Sequence, residues 1–243
     1  GQGQQTTRSA GAASGDVAVP TQLRWRGLEQ TAPARTRGFL GDVLLQAVEV
    51  LTGVGADAAA GLAASAVVAK VDGQVDPGVY ALEPTGLKPL KGRVPPLAAV
   101  PPADGPMLVL LHGTFVDTAS TFGKLWDLHP AQVQALFSHY GGRVYALDHP
   151  TLGTSPIDNA LLLAEKLPQG ARLHLATHSR GGLVAEVLAR VCGRGGDLTA
   201  EDLAPFAGAE YAGQRAALQA LAARVKAQGI TVERVVRVAC PAR

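Results

Sequence analysis

Cysteine and methionine are nearly absent from this chain of 243 residues. The two cysteines, Cys192 and Cys240, exclude a disulfide scaffold and any Cys-x-x-Cys metal knuckle. Both read as small apolar core residues of a reducing compartment, which points to a cytoplasmic location. The only methionine is Met107, and the chain opens on Gly1, so we expect a trimmed or excised piece of a longer protein. Charge of one sign is also lacking. Against 22 basic residues stand 20 acidic ones, which gives no electrostatic case for nucleic acid or an acidic membrane. The first fifteen residues carry no apolar stretch of the signal-peptide kind. No histidine, cysteine and carboxylate cluster has metal-ligand spacing, no glycine-rich loop ends in GK[ST], and no internal repeat is visible. Neither cofactor nor metal is expected.

What is present is an ample apolar complement, 47% of residues, enough for a sizeable core. Residues 1–37 read as a flexible tail or linker, rich at the start in Gly, Gln, Ser, Thr and Ala. Residues 38–75 are Ala-rich and apolar. Asp42, Glu49 and Asp57 argue against a transmembrane span, as do Gly53, Gly55 and Gly61. Two amphipathic helices broken near Gly53–Gly55 fit better. The Gly53–Ala58 stretch imitates a dinucleotide fingerprint, but it follows a helical run rather than a strand.

From residue 76 onward the pattern is strand–helix alternation. Residues 78–90 suggest a short hairpin turning at Pro84–Gly86. MLVLLHG reads as a buried strand, and Pro130–Tyr140 as a helix stopped by Gly141–Gly142. RVYALDHP gives the next strand. Ser155 then caps a helix with Pro156 at its first position. RLHLAT is a strand, GGLVAEVLARVC a helix, Ala209–Gln228 a long helix and residues 232–240 a final strand. The fold class is therefore α/β, a doubly wound and mainly parallel sheet with a helical N-terminal appendage.

One stretch carries chemistry. Between Leu173 and Gly182 a buried strand ends, Ser179 sits on the turn, and a helix starts at once. This is the layout of a nucleophile elbow, normally G-x-S-x-G. Gly181 and Gly182 supply the small residues the tight crossing requires. Thr177 stands where glycine is usual, and fits only if the neighbouring strand leaves room for it. The first N–H groups of the helix point at the serine, so the N–H of Arg180 is one candidate oxyanion donor. The N–H of Thr114, in the loop after the MLVLL strand, is the other. His112 and Gly113 support that loop, and His178 packs beside the serine. Arg180 itself pairs with an acidic neighbour or greets an anionic substrate. His174 reads as a satisfied core histidine, and His129 and His139 as surface residues.

LLHGTF, LDHPTLGTSP and THSRGG, in that order and spacing, resemble the α/β-hydrolase superfamily of the lipase and esterase type. The His-Ser-Arg-Gly-Gly elbow is similar to bacterial lipase-like and GPI-inositol-deacylase-like domains, which occur within large multidomain bacterial proteins. The resemblance spans residues 78–240. It implies an acyl-Ser179 intermediate on a carboxylic ester, with lipid-like esters among the candidates, and a strand order of 1-2-4-3-5-6. It also implies an acid after the strand that follows this chain's last one, and a base after the strand after that. All six histidines lie at or before position 178. The expectation is thus a domain, residues 76–243, cut after its sixth strand and inactive alone. The remainder of the parent chain, or a second chain, completes the sheet and covers the sixth strand's edge. His149 could replace the base only across an intervening strand, a gap of about 10 Å. The alternative is a non-catalytic scaffold or partner-binding module of a larger regulatory protein. Proteolytic processing at Arg243 is a third reading of the chain end.

Overall fold

A computed structural model describes residues 58–241 of the chain, with side chains from residue 65. The tail, and the first of the two helices expected before residue 58, lie outside the described residues. The described part begins with helix α1, Ala58–Asp72. It continues through β1 (Gly78–Ala81), β2 (Met107–Leu111), α2 (Thr118–Leu128), α3 (Pro130–His139) and β3 (Val144–Asp148). Then come α4 (Pro156–Lys166), β4 (Arg172–His178), α5 (Gly181–Gly193), the short α6 (Ala200–Leu203), α7 (Ala212–Gln228) and β5 (Thr231–Val238).

The strands form one five-stranded sheet in the order β1-β3-β2-β4-β5. β2, β3, β4 and β5 are parallel to one another, and β1 runs antiparallel to β3. β2 and β3 are buried along their whole length, because each has a strand on both sides and helices on both faces. This is why MLVLL shows no alternation in its sequence. Alternation reappears in the packing. Met107, Val109 and Leu111 point into a core shared with α4, α5 and α7, whereas Leu108 and Leu110 join Trp126, Val133 and Phe137 of α2 and α3 on the other face.

Local sequence sets the helix ends. Ser155 Oγ accepts from the Asp158 N–H at 3.1 Å and Pro156 opens α4. Asp117 caps α2 through the Ser120 N–H at 2.7 Å. Gly229, at φ +61°, closes α7.

Three expectations change. The hairpin is absent: β1 pairs with β3, Gly78 facing Asp148 and Ala81 facing Tyr145. Pro84 and Pro89 interrupt the segment that would have returned, and Leu90 instead buries itself in the core of the α2–α3 face. The long helix starts at Ala212, after a single 3₁₀ turn at Ala209–Tyr211. The two cysteines also part company. Cys192 is buried, which pushes its thiol up to about 12. Cys240 lies half-exposed beyond β5, its Sγ 3.2 Å from Thr177 Oγ1. Among the described residues no helix is long and apolar enough to cross a membrane.

β5 is the outer strand of the sheet, and from Glu233 to Val238 every residue is exposed. Backbone packs closely on backbone where α5 starts against β2. A Cβ built on Gly181 would stand 2.4 Å from the Leu111 carbonyl oxygen and 2.7 Å from that of His112. Backbone cannot yield as a side-chain tip can. Gly181→Ala is therefore expected to lower stability by about 2 kcal/mol, read as a fall in the urea midpoint at unchanged m.

Candidate active site

Ser179 occupies the turn between β4 and α5 at φ +49°, left-handed backbone that a side chain rarely adopts. Two hydrogen bonds hold it there. Its N–H donates to the Val238 carbonyl at the end of β5 (3.0 Å), and its carbonyl accepts from the Gly182 N–H (3.0 Å). The loop leaving β2 closes on it from the other side. A Cβ on Gly113 would meet Ser179 Cβ at 2.9 Å and His178 Nδ1 at 3.0 Å. Gly113 and Gly181 thus let the exit of β2 interlock with the serine turn. Gly113, distant in sequence, meets the consecutive residues His178, Ser179, Arg180 and Gly181 at the C-terminal ends of β2 and β4.

Thr177, the residue at odds with G-x-S-x-G, is fully buried. β5 makes room for it, and its hydroxyl donates to the Val236 carbonyl at 3.0 Å. The threonine is thereby satisfied, and ties the strand before the turn to its outer neighbour.

Neither the Thr114 nor the Arg180 N–H takes part in a hydrogen bond among the described residues. Both remain available to an oxyanion. The loop carrying Thr114 is strained at Phe115, φ +65°, whose N–H donates to Thr151 Oγ1 at 3.3 Å. Arg180 is buried, and its Nη2 donates to the Thr154 carbonyl. It has no ion pair within salt-bridge distance, although the Asp72 carboxylate acts on it and partly offsets the burial that lowers its pKa to about 10.

Beneath the loop lies a buried polar layer. His112 Nδ1–H donates to the Gly113 carbonyl at 2.9 Å, and Nε2 accepts from the His149 N–H at 3.1 Å. Those two bonds define a neutral imidazole with its proton on Nδ1, in keeping with a pKa lowered by burial. Asp148 Oδ1 stands 3.7 Å from Nε2, too far for a hydrogen bond to a nitrogen already used as an acceptor. Asp148 instead accepts from the N–H and hydroxyl of Thr118, and burial raises its pKa. His149 stacks on His112, ring centroids 4.1 Å apart, with Nδ1–H donating to the Leu147 carbonyl. Complete burial pushes its pKa well below the ordinary 6.5.

Sequence reasoning placed His112 as the support of the loop but missed the layer around it. The Asp148–His149 pair was visible as a dipeptide. Its stacking partner was not, because the two histidines follow the ends of different strands. Among the described residues no side chain hydrogen-bonds the Ser179 hydroxyl, and His149 lies beyond the intervening β2. His174 takes a hydrogen bond from the Tyr140 hydroxyl (2.8 Å) and reaches Glu233 (3.3 Å), a satisfied core residue. No group of three or more metal-ligating side chains is assembled among the described residues.

The layer makes stability depend on pH. The unfolded chain takes up histidine protons near 6.5, while the folded chain keeps His112 and His149 neutral to lower pH. Stability therefore falls as pH drops below 6.5. His149→Phe keeps a stacking ring without the titration and is expected to flatten that fall. Asp148 acts with the opposite sign but is common to both proteins. Urea midpoints at about pH 7.5 and about pH 5.5 for both proteins measure the difference.

No curated protein and no solved structure matches the chain. Residues 77–213 match a family described as a domain of unknown function, DUF7379. The match begins just before β1, runs past α5 to the start of α7, and takes in the serine turn, the loop after β2 and the buried histidine layer. Covering more than half of the chain, it shows that this protein belongs to the DUF7379 family.

Proposed function

We propose that the chain is the nucleophile-bearing part of a serine hydrolase of the α/β-hydrolase type, acting on carboxylic esters. The observation that carries this reading is Ser179 at φ +49° between a parallel strand and a helix, with Gly113 of the loop after β2 packed against it. Left-handed backbone at a residue with a side chain costs free energy, and such strain collects at functional sites. The strand order supports it too, since β1-β3-β2-β4-β5 is the 1-2-4-3-5-6 order without its first strand, antiparallel strand included.

In this reading Ser179 Oγ attacks the ester carbonyl carbon, and the oxyanion is held by the Thr114 and Arg180 N–H groups. The alcohol leaves with the serine proton as the acyl-serine forms. Water then releases the acid and restores the hydroxyl. Proton transfer requires a base at Ser179 that no described side chain supplies, so activity belongs to the complete protein.

One observation favours a second reading, a non-catalytic partner-binding module. The outer strand β5 exposes Val235, Val236 and Val238 along a sheet edge, a surface suited to covering by another segment.

A fluorophosphonate probe on the full-length protein decides between them. Covalent labelling is expected, and Ser179→Ala is expected to abolish it together with ester turnover, a loss of at least about a thousandfold. Equal labelling of both proteins, or none of either, would favour the partner-binding reading.

A further inference from the structure

α1 ends in an unusual contact. Asp72 sends its carboxylate into the loop after β3, where Oδ1 accepts from the N–H groups of Thr151 (2.7 Å) and Leu152 (2.9 Å). Oδ2 accepts from the N–H of Gly153 at 2.6 Å. Three consecutive backbone donors converging on one carboxylate make an anion cradle. Gly153 leaves the approach open, since a Cβ there would stand 2.8 Å from Asp72 Oδ2 and 3.0 Å from Val68 Cγ1.

A second, independent feature points the same way. Arg180 is only 8% exposed, and its Nη1 is buried without any hydrogen-bond partner. Burying a guanidinium group with an idle donor is costly unless an anion completes it. Among the described residues the Asp72 carboxylate is the acidic group that acts on it, at a distance beyond a direct pair. Asp72 takes up all three cradle amides and leaves Arg180 Nη1 idle, so the cradle and Arg180 together offer one donor more than the aspartate satisfies.

This region adjoins the serine. Arg180 follows Ser179 directly and holds the Thr154 carbonyl. Thr151 accepts from the Phe115 N–H, in the loop whose Gly113 touches Ser179.

We propose that the Thr151–Gly153 amides and Arg180 form a binding site for an anionic group, a phosphate or carboxylate, which Asp72 of α1 occupies as a built-in competitor. The anion site stands on its own geometry. Its assignment as the recognition site of an anionic ester rests on the hydrolase reading above. In that case α1 is a strap that must lift its carboxylate before the ligand's anionic end can seat.

Isothermal titration of the full-length protein with inorganic phosphate tests the site without any turnover. Asp72→Ala is expected to bind phosphate at least about tenfold more tightly than the wild type. Adding Arg180→Met is expected to return the affinity to the wild-type level or below while leaving the Arg180 N–H in place. A parallel titration with succinate separates a carboxylate site from a phosphate site. Asp72→Asn, neutral but similar in shape, serves if the alanine variant does not fold, with the same gain expected. Folded variants that bind phosphate no better than the wild type overturn the proposal. Failure of both variants to fold also overturns it, because Asp72 is then a structural anchor. Phosphate binding without fluorophosphonate labelling would keep the anion site and remove the hydrolase reading.

Discussion

The arrangement around Ser179 depends on two missing Cβ atoms. Gly181 brings the start of α5 against the carbonyl oxygens of Leu111 and His112, and Gly113 brings the loop after β2 against Ser179. With the serine turn gripped from both sides, a left-handed backbone at Ser179 becomes the conformation the surroundings impose. A methyl group at either glycine would push apart a strand, a loop and a helix at once. The demand at these two positions is close approach, which backbone freedom alone does not describe.

Burial then governs the electrostatics. The loop rests on histidines withdrawn from water, and in such a setting the neutral form of imidazole prevails. A neutral His112 can donate at one nitrogen and accept at the other, and it uses both to join the Gly113 carbonyl to the His149 N–H. A charged imidazole would have two donors and would lose the bond to His149. Arg180 is the opposite case. It stays charged in a buried place, with Nη1 idle and the Asp72 carboxylate acting on it from the amide cradle.

The sheet is asymmetric in its cover. β2 and β3 are closed on both faces, while β5 offers one edge and most of its surface to solvent. β5 nevertheless serves the site, because the Val238 carbonyl holds the Ser179 N–H and the Val236 carbonyl holds the Thr177 hydroxyl. A loosely covered strand thus supports the left-handed turn at Ser179. A segment that covers β5 would reach the serine through these two bonds.

Much of this was legible in the chain itself. Buried strands such as MLVLL, the Ser155–Pro156 helix start and the glycine stops at Gly141 and Gly229 are local signals, since each rests on the conformational preference of the residue that carries it. The serine turn was legible for the same reason, as a strand, a serine and two glycines stand next to each other. Other features needed the folded chain. The partner of β1 was misread because the segment after Pro84 looked locally like a returning strand, whereas pairing with β3 is decided by contacts more than sixty residues away. Room for Thr177 depended on β5, the neutrality of His112 on His149, and the cradle for Asp72 on a loop about eighty residues onward. Sequence alone determined which elements form and where the serine sits among them, because those choices are local. Only the tertiary structure decided which backbone donors, carboxylates and imidazoles face one another, because hydrogen bonding and burial depend on residues that the chain order keeps apart.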